Sequence, residues 1–200
     1  LDPINETIIA SATNDISWVN IGDSGYAYGL EVEIRKNLFD FDTDFTNKLS
    51  AGMNISYMKT HQEIDRDKIN KETQGTINVN ITDNTSSFTG ASDLLLNADI
   101  SYTKNWNKET AITATLAYSY YSDRLYALRI ETKGNLVDKG MGTLDFILKT
   151  KINKSLGIDL GARNLLNPTF KRVQENTSGH VDALTYKKGV VLGIGMNYQF

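Results

Sequence analysis

Apolar residues recur at every second position through most of this chain, a period that suits an extended strand with two unlike faces and excludes an amphipathic helix. In "YAYGLEVEIR", Tyr26, Tyr28, Leu30, Val32 and Ile34 share one face, and Ala27, Gly29, Glu31, Glu33 and Arg35 share the other. "KLSAGMNISY" sets Leu49, Ala51, Met53, Ile55 and Tyr57 against Lys48, Ser50, Gly52, Asn54 and Ser56. The same scheme runs through "LLLNADISY", where Leu95 is the exception, and through "ETAITATLAYSYY", "MGTLDFILKTKI", "SLGIDLGAR" and the final "GVVLGIGMNYQF". With a further strand at "DISWVNI", the pattern predicts about eight strands, several near the ten residues that a tilted membrane strand needs.

The spacing between the strands is uneven in a regular way. Short links at Lys104 to Lys108 and Asn153 to Lys154, and an intermediate one from Lys36 to Asn47, alternate with long polar segments. The long ones run from Thr60 to Ser92, Ser122 to Gly140 and Asn164 to Lys188. Short turns at one end and long loops at the other are the arrangement of an outer-membrane β-barrel, whose long loops lie outside the cell. Aromatic residues gather at strand ends, at Trp18, Tyr57, Tyr102, Trp106, Tyr120, Tyr121, Tyr198 and Phe200, where interfacial girdles are expected.

Composition removes several other classes. No run approaches the roughly 18 apolar residues of a spanning helix. A net charge of -3 with no basic stripe argues against a nucleic-acid partner. The absence of cysteine excludes disulfides, thiolate metal sites and a cysteine nucleophile. No nucleophile elbow, phosphate loop or hydrolase-spaced histidine and carboxylate is present, so no enzyme and no cofactor are expected. The first residues lack the basic start and apolar core of a signal peptide, which implies a mature chain or an internal piece.

Two segments resemble a known family. "GARNLLNPTFKRVQEN", from Gly161 to Asn176, with the following "YKKG" and aromatic-ended strand, resembles the C-terminal barrel segment of TonB-dependent outer-membrane receptors, particularly those of Bacteroidetes. "DSGYAYGLEVEIRKNL", from Asp23 to Leu38, resembles another recurrent segment of those barrels. The resemblance implies an all-β fold. Residues 1–200 would be the C-terminal portion of an antiparallel transmembrane barrel of about 22 strands, with the plug and the TonB box absent from this chain. It implies active import, at the bacterial outer membrane, of a scarce large solute such as an iron chelate, cofactor, glycan or peptide. The partners implied are lipid, the remaining strands and plug, the TonB complex through the missing N-terminal part, and the barrel assembly machinery. Gly195, Tyr198 and Phe200 match the terminal signal read by that machinery, although Gly193 stands where a polar residue is expected.

Other readings stay open at this point. A complete eight-stranded barrel with a structural or adhesion role would also place both chain ends on one side, and a soluble sandwich would also hide one apolar face. Small inward residues such as Ala27, Gly29, Ser50, Gly52, Gly157, Gly161, Gly193 and Gly195 leave an eight-stranded lumen underfilled. In "HQEIDRD", an extended backbone would turn His61, Glu63, Asp65 and Asp67 to one side as hard-cation ligands, but a solvated loop stem is the simpler reading and no metal site is assigned. Asp99, Asp145, Asp159 and Arg163 fall on the predicted lumen face, where a hydrogen-bond ladder along the wall is the default. His180 reads as surface polar, and Asn167 with Pro168 as a turn. The ligand-binding residues are not readable.

Overall fold

The computed structural model describes residues 4–8, 16–41, 47–75, 83–128, 134–176 and 179–200. In chain order the elements are β1 (Ile4–Ile8), β2 (Ile16–Asn20), β3 (Gly25–Asp40), β4 (Asn47–Glu63), α1 (Arg66–Glu72), β5 (Thr85–Ser86), β6 (Leu94–Asn105) and β7 (Ala111–Tyr121). They continue as β8 (Arg124–Ala127), β9 (Asn135–Asp138), β10 (Met141–Lys151), β11 (Leu156–Arg163), β12 (Thr169–Asn176), β13 (Gly179–Lys187) and β14 (Val191–Tyr198). Seven long strands form an antiparallel wall in the order β14, β11, β10, β7, β6, β4, β3, and the two-residue β5 pairs with β4 to complete an eight-stranded sheet.

Register explains why the wall has two unlike faces. Ile34 lies opposite Met53, and Met53 opposite Ala98. Ala98 in turn faces Tyr118, and Tyr118 faces Leu144, so the apolar residues of adjacent strands fall on one side. The other face carries Glu33, Asn54, Asn97, Ser119 and Thr143 in the same rows. Among the described residues nothing covers the apolar face: Leu192 and Ile194 are 77% and 79% exposed. Aromatic rings line its two ends. At the turn end Phe41 packs 6.1 Å from Phe39 and 6.2 Å from Tyr102, and Tyr198 meets Phe200 edge-on at 5.2 Å. At the loop end Tyr26 stacks near Tyr28, with Tyr57, Tyr118 and Tyr120 in the same band.

The buried core lies elsewhere. Val19, Ile21, Ile64, Ile69, Leu125 and Leu128 form one apolar cluster, with Ile21 and Ile69 at 1% and 0% exposure. Among the described residues, each buried apolar side chain comes from outside the seven wall strands. The cluster joins the end of β2, α1 and the segments beyond β4 and β7 into a layer over the loop end. Asp65 caps α1 by accepting hydrogen bonds from the Asp67 and Lys68 amides, which aims Ile69 into the cluster. The chain leaving β2 runs so close to β4 that a Cβ on Gly22 would sit 2.3 Å from the Glu63 carbonyl oxygen.

Several expectations need correction. "DISWVNI" is not a wall strand: among the described residues Ile16–Asn20 pairs only with Ile4–Ile8, and five residues are too few to cross a membrane. Trp18 therefore sits in the outer layer and not in a girdle, and Tyr121, opposite Leu95, falls on the polar face. β3 and β4 are longer than the alternation indicated, taking in Lys36–Asp40 and Thr60–Glu63, because edge pairing holds polar residues in strand form as well as apolar ones. The segments Ser122–Gly140 and Asn164–Lys188 are not plain loops but carry the four strands β8, β9, β12 and β13.

The complete eight-stranded barrel is not formed. β3 and β14 are the opposite ends of the wall and run in the same direction, so joining them would require a parallel seam in an otherwise antiparallel sheet. The observed architecture is an open all-β arc.

Ile69→Ala removes the most buried side chain of the outer layer and is expected to cost it about 2–5 kcal/mol. Hydrogen exchange should then quicken in α1, β2 and β8 while β6 and β7 keep their protection.

Candidate functional site

The loop-end layer is the part of the chain built to present side chains, because its strands carry both a packed interior and an open surface. β8 and β9 rise from the connection between β7 and β10, and β12 and β13 from that between β11 and β14. They pair as one sheet in the order β13, β12, β9, β8. Leu125, Val137 and Val173 stand in register on its inner face above the core cluster.

On the opposite face, Arg124, Asp138 and Arg172 are direct neighbours across three strands. The Asp138 side chain is 4% exposed, and burying that charge is tolerable only because two guanidinium groups share it. Arg172 Nε donates to Asp138 Oδ1 at 2.6 Å and its Nη2 to Oδ2 at 3.3 Å, while Arg124 Nε lies 3.5 Å from Oδ2. The Arg172 guanidinium lies 3.1 Å from the centre of the Tyr126 ring, and Arg124 lies 4.9 Å from that of Tyr121. Burial works to lower the Arg172 pKa, but the Asp138 hydrogen bond and charge outweigh it and the group is held above its ordinary value.

A second charged group ties β7 to β9 and β12. Lys139 pairs with Asp123 and stands 3.6 Å from Glu175, and Asp123 Oδ1 accepts from the Gly140 amide at 2.6 Å. Burial works to raise the Asp123 pKa, yet the hydrogen bonds from Lys139 and Gly140 bring it below the ordinary carboxylate value. The Asp123 hydrogen bond raises Lys139 in turn. Beside these groups lies a cleft of about 380 Å³ with an apolar floor that includes Ile64 and Leu125, and a rim that includes Ser86, Asp93, Asp123 and Glu175. Its lining sets carboxylates, a hydroxyl and the Arg124 guanidinium beside an apolar patch.

The polar face of the wall supplies a second surface. Asn54 Nδ2 donates to Glu31 at 2.7 Å and Ser119 Oγ to Asn97 at 2.8 Å, and the hydroxyls of Ser101 and Thr115 meet at 2.8 Å. These cross-strand bonds form the ladder expected there. Asp99 lies 4.0 Å from Arg35, and Asp159 stands between Lys149 and Gly195 in adjacent strands. Asp145 is used structurally: it accepts the Asn164 amide at 2.8 Å. Asn164 Nδ2 then donates to the Gly189 carbonyl, and the Gly189 amide donates to Asn167 Oδ1. Asn164, Asn167 and Gly189 all have left-handed backbones, so the turn read at "RNLLNP" is also a clip across the base of the β12–β13 hairpin. Arg163 ends β11 exposed.

The four residues of "HQEIDRD" are not aligned. His61 stacks 4.9 Å from the Tyr26 ring, Glu63 accepts from Ser24, Asp65 caps the helix and Asp67 lies in its first turn. Strand geometry ends at Glu63, and among the described residues no group of three or more His, Asp or Glu is placed to hold a metal. Gly195 and Tyr198 lie on β14 opposite Asp159 and Leu156, with Phe200 beyond its end. His180 lies exposed on β13 opposite Glu175. The Arg124, Asp138 and Arg172 group has no counterpart in the sequence reading, because each residue sits in an alternating run of only four to eight residues inside a polar stretch.

The model of the TonB dependent receptor-like β-barrel family matches residues 4–165. No curated protein and no solved structure matches.

Asp138→Asn would leave two arginines without their buried counter-charge and is expected to cost the outer sheet about 3–5 kcal/mol. Limited proteolysis should cut within β8, β9 or β12 in the variant under conditions that leave those strands uncut in the wild type. The Asp123 and Lys139 pair gives a pH window. Asp123, depressed in the fold, stabilises above its ordinary 3.8 and loses this as pH falls through its folded value. Lys139, raised in the fold, stabilises below its ordinary 10.5 and loses this as pH rises through its folded value. Exchange of the Gly140 amide should therefore be slowest, relative to its intrinsic rate, between those limits, and Asp123→Asn should abolish the acid limb.

Proposed function

The chain belongs to the TonB-dependent receptor-like β-barrel family, whose barrels lie in the bacterial outer membrane, and from that premise we propose that it builds one arc of an importer for a scarce, large solute. The family couples outer-membrane transport to TonB in general. Within that frame the solute is an iron chelate, a cofactor, a glycan or a peptide, met first by the outer layer and passed along the polar face of the wall. The supporting observation is the two-faced, coreless wall. Its apolar side has no cover among the described residues and its polar side is laddered by hydrogen bonds, which is what a wall between lipid and a wet or plugged lumen requires.

Both long wall edges, on β3 and β14, present backbone groups with no strand partner among the described residues. In lipid such an edge is not viable, so further strands of the same receptor pair with both, and a plug fills the lumen they enclose. The terminal Gly195, Tyr198 and Phe200 are proposed as the label by which the assembly machinery engages β14. No catalytic role is proposed for any residue.

The import reading is tested by growing cells with and without the receptor on a limiting supply of each solute class in turn. Loss of growth on one class, matched by loss of its energy-dependent uptake when the proton gradient is collapsed, is the expected result. Uptake that persists without the gradient would count against it. The orientation of the wall has its own test. Leu116→Arg in the complete receptor places a charge on the lipid side near mid-strand and should cost about 2–4 kcal/mol, whereas Thr115→Arg, one residue away, faces the lumen and should be far milder. The folded fraction in vesicles, read by heat-modifiable gel migration, separates the two; equal losses would mean the faces are misassigned.

A further inference from the structure

The outer layer copies the wall strand for strand. β14 pairs with β11, and their outward continuations β13 and β12 pair with each other. β11 pairs with β10, and β12 with β9; β10 pairs with β7, and β9 with β8. The rule holds beyond the sheet. β7 pairs with β6, and Arg124 of β8 bridges Ser92, just before β6, with a further hydrogen bond from the Gly90 amide to the Leu125 carbonyl at 2.7 Å. β6 pairs with β4, and β5, on the way into β6, pairs with the outer end of β4. Five adjacent pairs in the wall are thus each repeated one level further out.

One outer edge stands apart. The β8 side of the outer sheet is closed by residues 90–92, whereas β13 is exposed along its whole length of nine residues and, among the described residues, pairs with β12 alone. β13 holds no proline, and Val181, Leu184 and Tyr186 are exposed along it. Asp182, Lys187 and a bulge at Ala183 blunt this edge only in part, and a solvent-facing edge of that length is normally shortened or covered. β13 sits directly outward of β14, the wall edge that the rest of the barrel must meet.

We infer that the outer tier continues across the barrel seam: the strand that closes against β14 extends past the lipid and adds an antiparallel neighbour to β13. The occupant is an extended segment of the same receptor, with an apolar side chain to lie beside Leu184 or Tyr186 as a cross-strand partner. This rests on the closed-barrel reading above. It makes the outer tier a latch that holds the seam where lipid no longer forces pairing.

Hydrogen exchange on the complete receptor in detergent tests both levels at once. The alternate amides of β13 that do not donate to β12 are expected to exchange about a hundredfold or more slowly than in an unstructured peptide, as are the outward amides of β14. Protected β14 with freely exchanging β13 would overturn the latch and leave the closed barrel standing. Free exchange in both would overturn both. A photo-crosslinking residue at Val181 identifies the neighbour: a crosslink within the receptor to its N-terminal barrel half is the expected result, and a crosslink to a separate protein would overturn the assignment.

Discussion

Backbone pairing in a medium without water governs everything else in this molecule. A wall strand flanked by lipid on one face and a lumen on the other cannot be held by a core, because neither face meets protein of its own layer. Its cohesion comes from ladder hydrogen bonds between neighbours, each worth far more where no solvent competes. That is why the wall strands between Gly25 and Tyr198 stay paired along their length, with one register shift between Asn37 and Phe39, yet among the described residues contribute no buried apolar side chain. The same requirement makes the open edges at β3 and β14 intolerable in isolation.

Stability of the ordinary globular kind is displaced to the outer layer. There, three separate segments of the chain meet around Ile21 and Ile69, and a buried carboxylate is shared by two arginines. An Arg, Asp, Arg arrangement is a poor source of net stability but demands one geometry, since losing either partner strands a charge. Held so, the outer segments keep one arrangement, and the Asn164, Asn167 and Gly189 clip anchors the base of the last hairpin to the wall strand that carries Asp145.

The wall was legible in the sequence because lipid imposes the period-two pattern directly on each strand: Leu30, Val32 and Ile34 or Ile112, Ala114 and Leu116 announce themselves without knowledge of their partners. The outer layer was not, since its pairings join residues far apart in the chain and its runs, such as "RLYA" and "NLVD", are too short to show a period. Asp138 reads as one more polar loop residue until Arg172 is seen beside it. "HQEIDRD" shows the opposite error, in which spacing suggested one face and a helix cap at Asp65 broke it. Trp18 misled for a related reason: an aromatic at a strand end signals a membrane girdle only if the strand crosses the membrane.

The most direct test of the account is to refold the 200-residue chain alone in detergent and compare heated with unheated samples by electrophoresis. An arc with parallel-running open edges should aggregate or remain free of any compact, heat-modifiable band, and gain one only when the rest of the receptor is restored. A compact heat-modifiable species with strand-rich circular dichroism from the chain alone would show that the wall closes on itself, contradicting the account.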